Sequence, residues 1–330
     1  MNRNNRHSLT RREMLTRSAA LSGLALTGGL SASGCSRERD GERDDHSSGS
    51  TGPVVQNGRI KQVLASWPFM DRAEFWSLEQ LCQAAVDLGC AGIELVGPDA
   101  WPTMKKYGLV CGMSPNGMPD PPFVKGLNNP SYRDEVIETT RRRIEECAGA
   151  GVPNVIAFTG YRYVDVDDPE KGEIPLDEGA RSTVEGLKEL ARHAEEHEIT
   201  VCLEHLNTRN PDPHVYGTPG YQGDDIDYCA EIVREVGSPR VKLLFDIYHV
   251  QIMNGDVISR IREYGTDLIG HIHTAGVPGR GELDHTQELN YPAIMRALLE
   301  IGYEGYVGQE FVPTRNPMEG LREAVAICDV

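Results

Sequence analysis

The chain has 330 residues, of which 25% are charged and 39% are hydrophobic, and these proportions are close to those of an average soluble globular protein. They exclude a collagen, a coiled coil, a wholly disordered chain and a polytopic membrane protein. The formal net charge of −17 disfavours sequence-independent binding to nucleic acid, because an acidic surface repels phosphate backbones. The length allows one large α/β barrel or two medium domains.

The first 35 residues have the composition of an export signal. Arg11 and Arg12 form an arginine pair, and small, moderately apolar residues follow from 18 to 34. This pattern is typical of a secretory signal, and the arginine pair resembles that of a twin-arginine signal. Small residues precede Cys35 as in a lipoprotein cleavage box, although Ala32 stands where leucine is preferred. We therefore expect either a lipoprotein anchored in the membrane through Cys35 or a free periplasmic protein.

The next segment, residues 36–57, is charged at first and then rich in serine and glycine. Such a composition cannot bury enough apolar area to order the chain, so we predict a flexible linker. The folded domain is then predicted to span residues 58–330.

From residue 58 onward, short apolar segments alternate with amphipathic helical segments. The predicted strands are 60–66, 92–96, 109–113, 154–158, 200–205, 241–246, 268–273 and 305–310, and the predicted helices are 78–88, 101–107, 133–150, 178–196, 225–236, 258–264, 291–301 and 318–327. Eight successive βα units predict a single (β/α)8 TIM barrel. A doubly wound open sheet is the alternative, and the lack of a G-x-G-x-x-G motif after the first strand weakens it.

Acidic or histidine side chains end four consecutive predicted strands, namely Glu204, Asp246, His273 and Glu310. Catalytic residues of TIM barrels lie at the carboxyl ends of the strands, so these four are expected at one mouth. Burying neighbouring acids without a partner would cost several kcal/mol, and a divalent cation would remove that penalty. Each residue alone could equally be a helix cap or a loop ion pair. Together they predict one divalent metal ion, and three oxygen ligands with one imidazole suit Mg²⁺, Mn²⁺ or Co²⁺.

The other histidines near these strand ends have less distinctive positions. His271 and His273 point to the same side of a strand, because strand side chains alternate. Both could be ligands, or one could hold a ligand in place, and we favour His273 because it is nearer the mouth. His205 is expected to pack behind the barrel wall, and His193 and His197 to lie on a helix surface.

A series of short motifs runs through the last third of the chain. It comprises Asp246-x-x-His249-x-Gln251, Gly270-His271-x-His273-x-Ala275-x-x-Pro278-Gly279-Arg280-x-Glu282, Glu288-x-Asn290-Tyr291-Pro292 and Gly302-Tyr303-x-Gly305-Tyr306-x-Gly308-x-Glu310. Their order and spacing resemble those of the hydroxypyruvate isomerase family. That family belongs to the xylose isomerase-like TIM barrels, together with the ketose 3-epimerases and endonuclease IV.

The resemblance implies an isomerase that uses a metal ion. Glu204 and Glu310 match glutamates that act both as ligands and as the acid/base pair, and Asp246 matches a third ligand. His249 resembles a residue that contacts the substrate, and Arg280 matches an arginine that holds substrate oxygens or a carboxylate. The implied reaction converts hydroxypyruvate to tartronate semialdehyde (2-hydroxy-3-oxopropanoate) through a cis-enediolate.

Several alternatives remain open. His273 stands where typical hydroxypyruvate isomerases carry glutamine and sugar epimerases carry histidine, which favours a ketose epimerase as the second interpretation. A third is an exported barrel that binds sugars without turnover. A phosphodiesterase of the endonuclease IV type is disfavoured, because no histidine ends the second or third predicted strand. The expected partner is a small hydroxy-carbonyl or sugar and not nucleic acid, and the sequence leaves a homo-oligomer open.

Overall fold

The computed structural model describes residues 52–72, 76–210 and 217–330. The predicted signal at 1–35, including Cys35, and most of the predicted linker lie outside the described residues. In the described part of the chain, no helix is long and apolar enough to cross a membrane.

Eight parallel strands in the described residues form one curled sheet. They are β1 (Lys61–Ala65), β2 (Gly92–Glu94), β3 (Val110–Cys111), β4 (Asn154–Phe158), β5 (Thr200–Glu204), β6 (Val241–Asp246), β7 (Ile269–Thr274) and β8 (Tyr306–Gln309). Neighbouring strands follow the order β3-β2-β1-β8-β7-β6-β5-β4. The two edges meet at Ser114, whose backbone N–H donates to the Asn154 carbonyl at 2.9 Å and whose carbonyl accepts from the Ile156 N–H at 3.0 Å. The predicted (β/α)8 TIM barrel is confirmed.

Helices form the layer around these strands. They are α1 (Leu78–Leu88), α2 (Trp101–Lys106), α3 (Pro130–Ala150), α4 (Leu176–Glu196), α5 (Ile226–Val236), α6 (Ile247–Met253), α7 (Val257–Leu268), α8 (Tyr291–Glu300) and α9 (Pro317–Cys328). The sequence did not predict α6. Its first turn is capped by Asp246, whose side chain accepts from the backbone N–H groups of Tyr248 and His249.

Alternation along the strands separates two apolar layers. Leu203 of β5 and Leu243 of β6 point outward and pack in the large core beneath the helices. Cys202 and Leu244 belong instead to a smaller apolar cluster. Because side chains alternate, Glu204 lies on the same face of β5 as Cys202. The strand pattern therefore directs the last acid of β5 inward, above an apolar floor.

Five of the predicted strands are shorter in the structure, and β2 and β3 each lose two residues at the carboxyl end. The β2 strand stops at Glu94, because Leu95 has a φ of 58° and the left-handed region is incompatible with a continuing strand. The β3 strand contains only Val110 and Cys111 in regular pairing, and Ser114 makes the isolated bridge that replaces a longer strand.

The described part of the chain includes several residues that precede the predicted boundary at residue 58. The N–H groups of Val54 and Val55 both donate to the Leu88 carbonyl at the end of α1. The Asp329 carboxylate accepts from the N–H groups of residues 56, 57 and 58 at 2.6, 2.7 and 2.9 Å. The last residues of the predicted linker are thus held against the barrel, because they contribute two valines and two of the three backbone donors to Asp329.

Candidate metal centre and active site

Four consecutive strands bring one ionisable side chain each to a common point. Glu204 and Asp246 end β5 and β6, His273 lies in β7, and Glu310 directly follows β8. One ligand atom of each residue lies within 4.8 Å of the other three. All four side chains are buried, with exposures of 5% or less. The structure therefore brings together the four residues predicted as metal ligands, and their role as ligands stays a prediction.

His273 stands between carboxylates on both sides of its ring. Its Nδ1 atom lies 3.0 Å from Glu310 Oε2 and 3.5 Å from Glu204 Oε1. Its Nε2 atom lies 3.0 Å from Oε1 of Glu94 at the end of β2. The ring is fully buried, so its position is set by these neighbours and not by solvent.

Arg280 covers the carboxylates from the loop after β7. Its Nη2 atom lies 2.6 Å from Glu310 Oε2 and 3.4 Å from Asp246 Oδ2. The guanidinium carbon lies 5.1 Å from the ring centre of Trp67 and 5.3 Å from that of Tyr248, which are distances of cation–π contact. The indole N–H of Trp67 donates to Glu310 Oε1 at 2.8 Å. Arg280 and Trp67 therefore fix both the charge and the orientation of Glu310.

His249 lies at the side of Asp246, in the first turn of α6. The backbone N–H of Asn207 donates to His249 Nδ1 at 3.1 Å, so Nδ1 is the acceptor and Nε2 carries the proton of the neutral ring. That Nε2 lies 3.4 Å from Asp246 Oδ2. Burial and the nearby charge of Arg280 hold the pKa of His249 well below its ordinary value. His249 is a neutral neighbour of the acid cluster in this structure, and its contact with substrate stays a prediction.

His205, His193 and His197 do not belong to the four-residue cluster. His205 is fully buried, as expected, and burial lowers its pKa to about 3. His193 of α4 is less exposed than predicted, because Glu145 of α3 lies 3.3 Å from its Nε2 and covers it. His197 caps the carboxyl end of α4.

The two glutamates of the cluster have opposite electrostatic environments. Burial raises the pKa of Glu204 to about 7, and the negative charge of Glu310 adds to the rise. Burial likewise raises the pKa of Asp246 to about 6, against the lowering effect of Arg280. For Glu310, burial is outweighed by His273 and Arg280, which hold its pKa well below the ordinary value. One site thus contains an acid that retains its proton near neutrality and another that stays ionised.

The chemistry of this donor set fits a divalent cation. His273 Nε2 faces Glu94, so a neutral His273 that keeps its proton there directs the Nδ1 lone pair at two carboxylates. Lone pairs converging at 3.0 and 3.5 Å in a buried site repel unless a positive charge lies among them, either a proton on Nδ1 or a divalent cation in its place. The cluster combines carboxylate oxygens with one imidazole nitrogen, a set that suits Mg²⁺, Mn²⁺ or Co²⁺.

A family model described as a xylose isomerase-like TIM barrel matches residues 82–329. The chain belongs to the xylose isomerase-like TIM barrel family. A 2-oxo-tetronate isomerase from Cupriavidus necator is 38% identical over 156 residues, which cover 46% of this chain and 56% of that protein. A hydroxypyruvate isomerase from Escherichia coli is 30% identical over 139 residues, covering 42% and 50%. The chain spans about half the length of these curated relatives.

Solved structures agree with this family fold. The crystal structure of an AP endonuclease, family 2, from Brucella melitensis is 25% identical and superposes with a TM-score of 0.66. The match covers 79% of this chain and 97% of that one.

A cavity of about 610 Å³ opens on the cluster in this xylose isomerase-like barrel. Three charged residues of its lining belong to the site described above, namely Glu204, Glu310 and Arg280. The other charged lining residues are Asp71, Arg72 and Asp120. The apolar lining includes Trp67, Leu95, Phe123, Phe158 and Leu206. A wider depression of about 860 Å³ lies around residues 283–292 and α9 and contains none of the four clustered residues. The candidate active site is therefore the smaller cavity.

The sequence analysis did not predict that one further acid of this xylose isomerase-like barrel, Glu94, lies at the site. Glu94 ends β2, and only histidines were considered as ligands at the end of that strand. An acid at the end of a buried apolar strand was the available signal, the same signal that identified Glu204. The hydrogen bond from Trp67 to Glu310 could not be predicted from the sequence, because the two residues are 243 positions apart.

Proposed function

We propose that the chain is a metal-dependent isomerase that converts hydroxypyruvate to tartronate semialdehyde. The observation that carries this proposal is geometric: the buried carboxylates of Glu204 and Glu310 meet at one centre, 3.5 and 3.0 Å from Nδ1 of His273. Two acids held at one site in different surroundings can supply both the acid and the base of a reaction. Enediol chemistry uses such groups, because one carbon loses a proton and its neighbour gains one.

The names of the relatives support the substrate class. The relatives from Cupriavidus necator and Escherichia coli are named as isomerases of 2-oxo-tetronate and hydroxypyruvate. Both substrates are 2-oxo acids with a hydroxyl group on the next carbon. We extend that class to this chain, since it has an arginine, Arg280, in the lining of the cavity and a guanidinium pairs well with a carboxylate.

Glu204, Asp246, His273 and Glu310 would hold the metal ion. When bound, a divalent ion polarises a carbonyl group and stabilises developing negative charge at oxygen, which is worth several kcal/mol. The protein's own residues then move the protons. Glu310, held ionised by Arg280, removes the proton from C3 of hydroxypyruvate, leaves an enediolate and returns the proton to C2. Glu204, a carboxylate when it binds the ion, takes the proton of the C3 hydroxyl and gives it to the oxygen on C2.

The second proton transfer completes the balance of atoms. The C3 hydroxyl loses its proton as the aldehyde forms, and the oxygen on C2 gains one as it becomes a hydroxyl. Positioned acid/base groups contribute about 10²–10⁴-fold to such transfers. The burial of both glutamates excludes water that would otherwise compete for their protons.

A ketose epimerase is the second candidate. Two observations favour it: His273 stands where the resemblance gives sugar epimerases a histidine, and a three-carbon acid fills only a fraction of a cavity of about 610 Å³. The proton chemistry is then similar, with one glutamate taking the proton from a carbon and the other delivering a proton to the opposite face of the same carbon.

A substrate panel separates these candidates. The full chain, loaded with Mg²⁺, Mn²⁺ or Co²⁺, is incubated with hydroxypyruvate, 2-oxo-tetronate and ketohexoses, and the products are identified by NMR. We expect conversion of a 2-oxo acid, with a loss of at least 10²-fold in both Glu204→Gln and Glu310→Gln. Glu282→Gln, a buried glutamate that accepts hydrogen bonds from Thr314, is the matched control.

The outcomes discriminate clearly. Epimerisation of a ketose without conversion of either acid replaces the isomerase by the epimerase. Retained sugar binding without any turnover would support the third interpretation, an exported binding protein.

A further inference from the structure

Beneath the four-residue cluster lies a fifth charged side chain, Glu94, which the proposed mechanism does not use. Its carboxylate is fully buried at the end of β2. Oε1 lies 3.0 Å from Nε2 of His273, and Oε2 lies 2.8 Å from Nε2 of His271. Both rings are also fully buried. One carboxylate therefore lies between two histidines, which are two residues apart on the same face of β7.

The surrounding backbone leaves space for this carboxylate and for little else. A Cβ atom on Gly308 of β8 would lie 1.8 Å from Glu94 Oε1, and a Cβ atom on Gly112 would lie 3.1 Å from Oε2. Contacts below 3.0 Å are incompatible with a side chain at Gly308. Glycine at this position of β8 thus allows Glu94 to reach His273 across the barrel interior.

The contact determines which nitrogen of His273 can face the cluster. At 3.0 Å from an ionised oxygen, Nε2 is placed to hold a proton, because a lone pair there would be repelled. The neutral ring then has its lone pair on Nδ1, the atom that lies 3.0 Å from Glu310 and 3.5 Å from Glu204. A carboxylate behind a histidine in this way orients metal-binding imidazoles and increases their basicity.

We propose that Glu94 is a positioning residue that fixes His273 with Nε2 protonated and Nδ1 directed at the metal ion. This inference rests on the metal site of the proposed function and extends it to a residue that does not touch the ion. His271 occupies the other oxygen of Glu94 and so prevents the carboxylate from rotating away from His273.

The test compares metal affinity and the protonated nitrogen of His273 in the full chain. In Glu94→Gln, the side-chain amide presents an N–H₂ group where an oxygen accepted before. One of the two histidines must then move its proton to Nδ1 or lose its partner. We expect Co²⁺ affinity, measured by calorimetry after chelation, to fall 10- to 100-fold. We also expect ¹⁵N-histidine NMR of the Zn²⁺-loaded protein to show loss of the Nε2-protonated form of His273.

Two further variants control for folding and charge. Glu282→Gln removes another buried carboxylate and is expected to leave Co²⁺ affinity within twofold of wild type. Should Glu94→Gln fail to fold by circular dichroism, Glu94→Asp keeps the charge but withdraws the oxygens by one methylene. The same loss of affinity and the same NMR change are then expected.

Three results would overturn the inference. Wild-type affinity and an unchanged His273 signal in a folded Glu94 variant would refute it while leaving the proposed function intact. A stoichiometry of two ions per chain that falls to one in the variant would make Glu94 a ligand of a second ion. A wild-type chain that binds no divalent ion would reject both this inference and the metal-dependent function.

Discussion

At the scale of single residues, Asp246 serves two purposes with its two oxygens. Oδ1 accepts from the N–H groups of Tyr248 and His249 and caps α6. Oδ2 lies 3.4 Å from Arg280 Nη2 and faces the cluster. Both roles considered for this residue from the sequence, a helix cap and a metal ligand, are thus compatible with one side chain.

Substitutions of Asp246 can separate the roles of its two oxygens. Asp246→Asn keeps an oxygen for the cap, so we expect it to have a higher free energy of unfolding than Asp246→Ala. Asp246→Ala also loses the cap, at about 1 kcal/mol. Both should lose metal affinity, on the order of 10²-fold. Urea unfolding and calorimetry measure the two effects, and an alanine variant as stable as the asparagine variant would contradict the assignment of Oδ1.

The raised pKa values of Glu204 and Asp246 predict how metal binding depends on pH. In the metal-free protein these groups retain protons up to about pH 7 and 6, and a ligand must lose its proton to bind. The proton on His273 Nδ1 competes in the same direction, since neighbouring carboxylates raise the pKa of this ring despite its burial. Affinity for Co²⁺ should therefore rise steeply between pH 5.5 and 7.5. An affinity that is constant over this range would contradict the shifts.

At the scale of secondary-structure elements, the sequence predicted regular strands well and irregular ones poorly. The bounds of β4 and β6 match their prediction, because continuous apolar segments fill strands that are buried on both faces. The end of β2 was misplaced, since nothing in the residue type of Leu95 indicates a φ of 58°. The α6 helix was missed because its seven residues follow a strand without an intervening turn.

The same distinction explains which parts of the site were predictable. Glu204, Asp246, His273 and Glu310 each follow or end a strand, so strand order alone placed them at one mouth. Glu94 also ends a strand, but its partner His273 belongs to β7, and β1 and β8 lie between β2 and β7 in the sheet. That contact depends on how side chains meet inside the closed barrel, which one sequence does not reveal.

The hydrogen bonds from the N–H groups of residues 56–58 to the Asp329 carboxylate predict that Asp329 stabilises the attachment of this segment to the barrel. Its three backbone donors outweigh partial burial and lower the pKa of Asp329 below 3.8. We expect Asp329→Asn to lose about 1 kcal/mol of unfolding free energy at pH 7, a value reduced from that of buried charged hydrogen bonds because the contacts are exposed.

The sign of the pH dependence follows from the lowered pKa. The stabilisation is present above the unfolded value of about 3.8 and disappears as pH falls through the lower folded value. The difference between wild type and variant should therefore vanish in acid. Asp87→Asn, which removes an exposed carboxylate bonded only to the Gln83 side chain in the described residues, is the control. A stability difference between wild type and Asp329→Asn that persists undiminished below pH 3 would contradict this role of the Asp329 carboxylate.

At the scale of the whole molecule, the sequence of residues 1–35 predicts export. Residues 1–35 lie outside the described residues, and their twin-arginine pattern rests on Arg11 and Arg12. We propose that fractionation of a bacterial host finds the full chain in the periplasm or membrane, and that replacing both arginines by lysine retains it in the cytoplasm. Cys35→Ala should release it from the membrane fraction if that cysteine is lipidated. Unchanged export of the lysine variant would contradict a twin-arginine signal.

The proposed function depends on the whole barrel, because residues at four strand ends must act together to move a proton between adjacent carbons. Deuterium uptake at C3 of hydroxypyruvate in D₂O, followed by NMR, measures this proton transfer directly. We expect the metal-loaded chain to give uptake well above the buffer rate, and we expect chelation and Glu310→Gln to abolish it. Uptake at the buffer rate with every divalent metal, or uptake that survives Glu310→Gln unchanged, would contradict it.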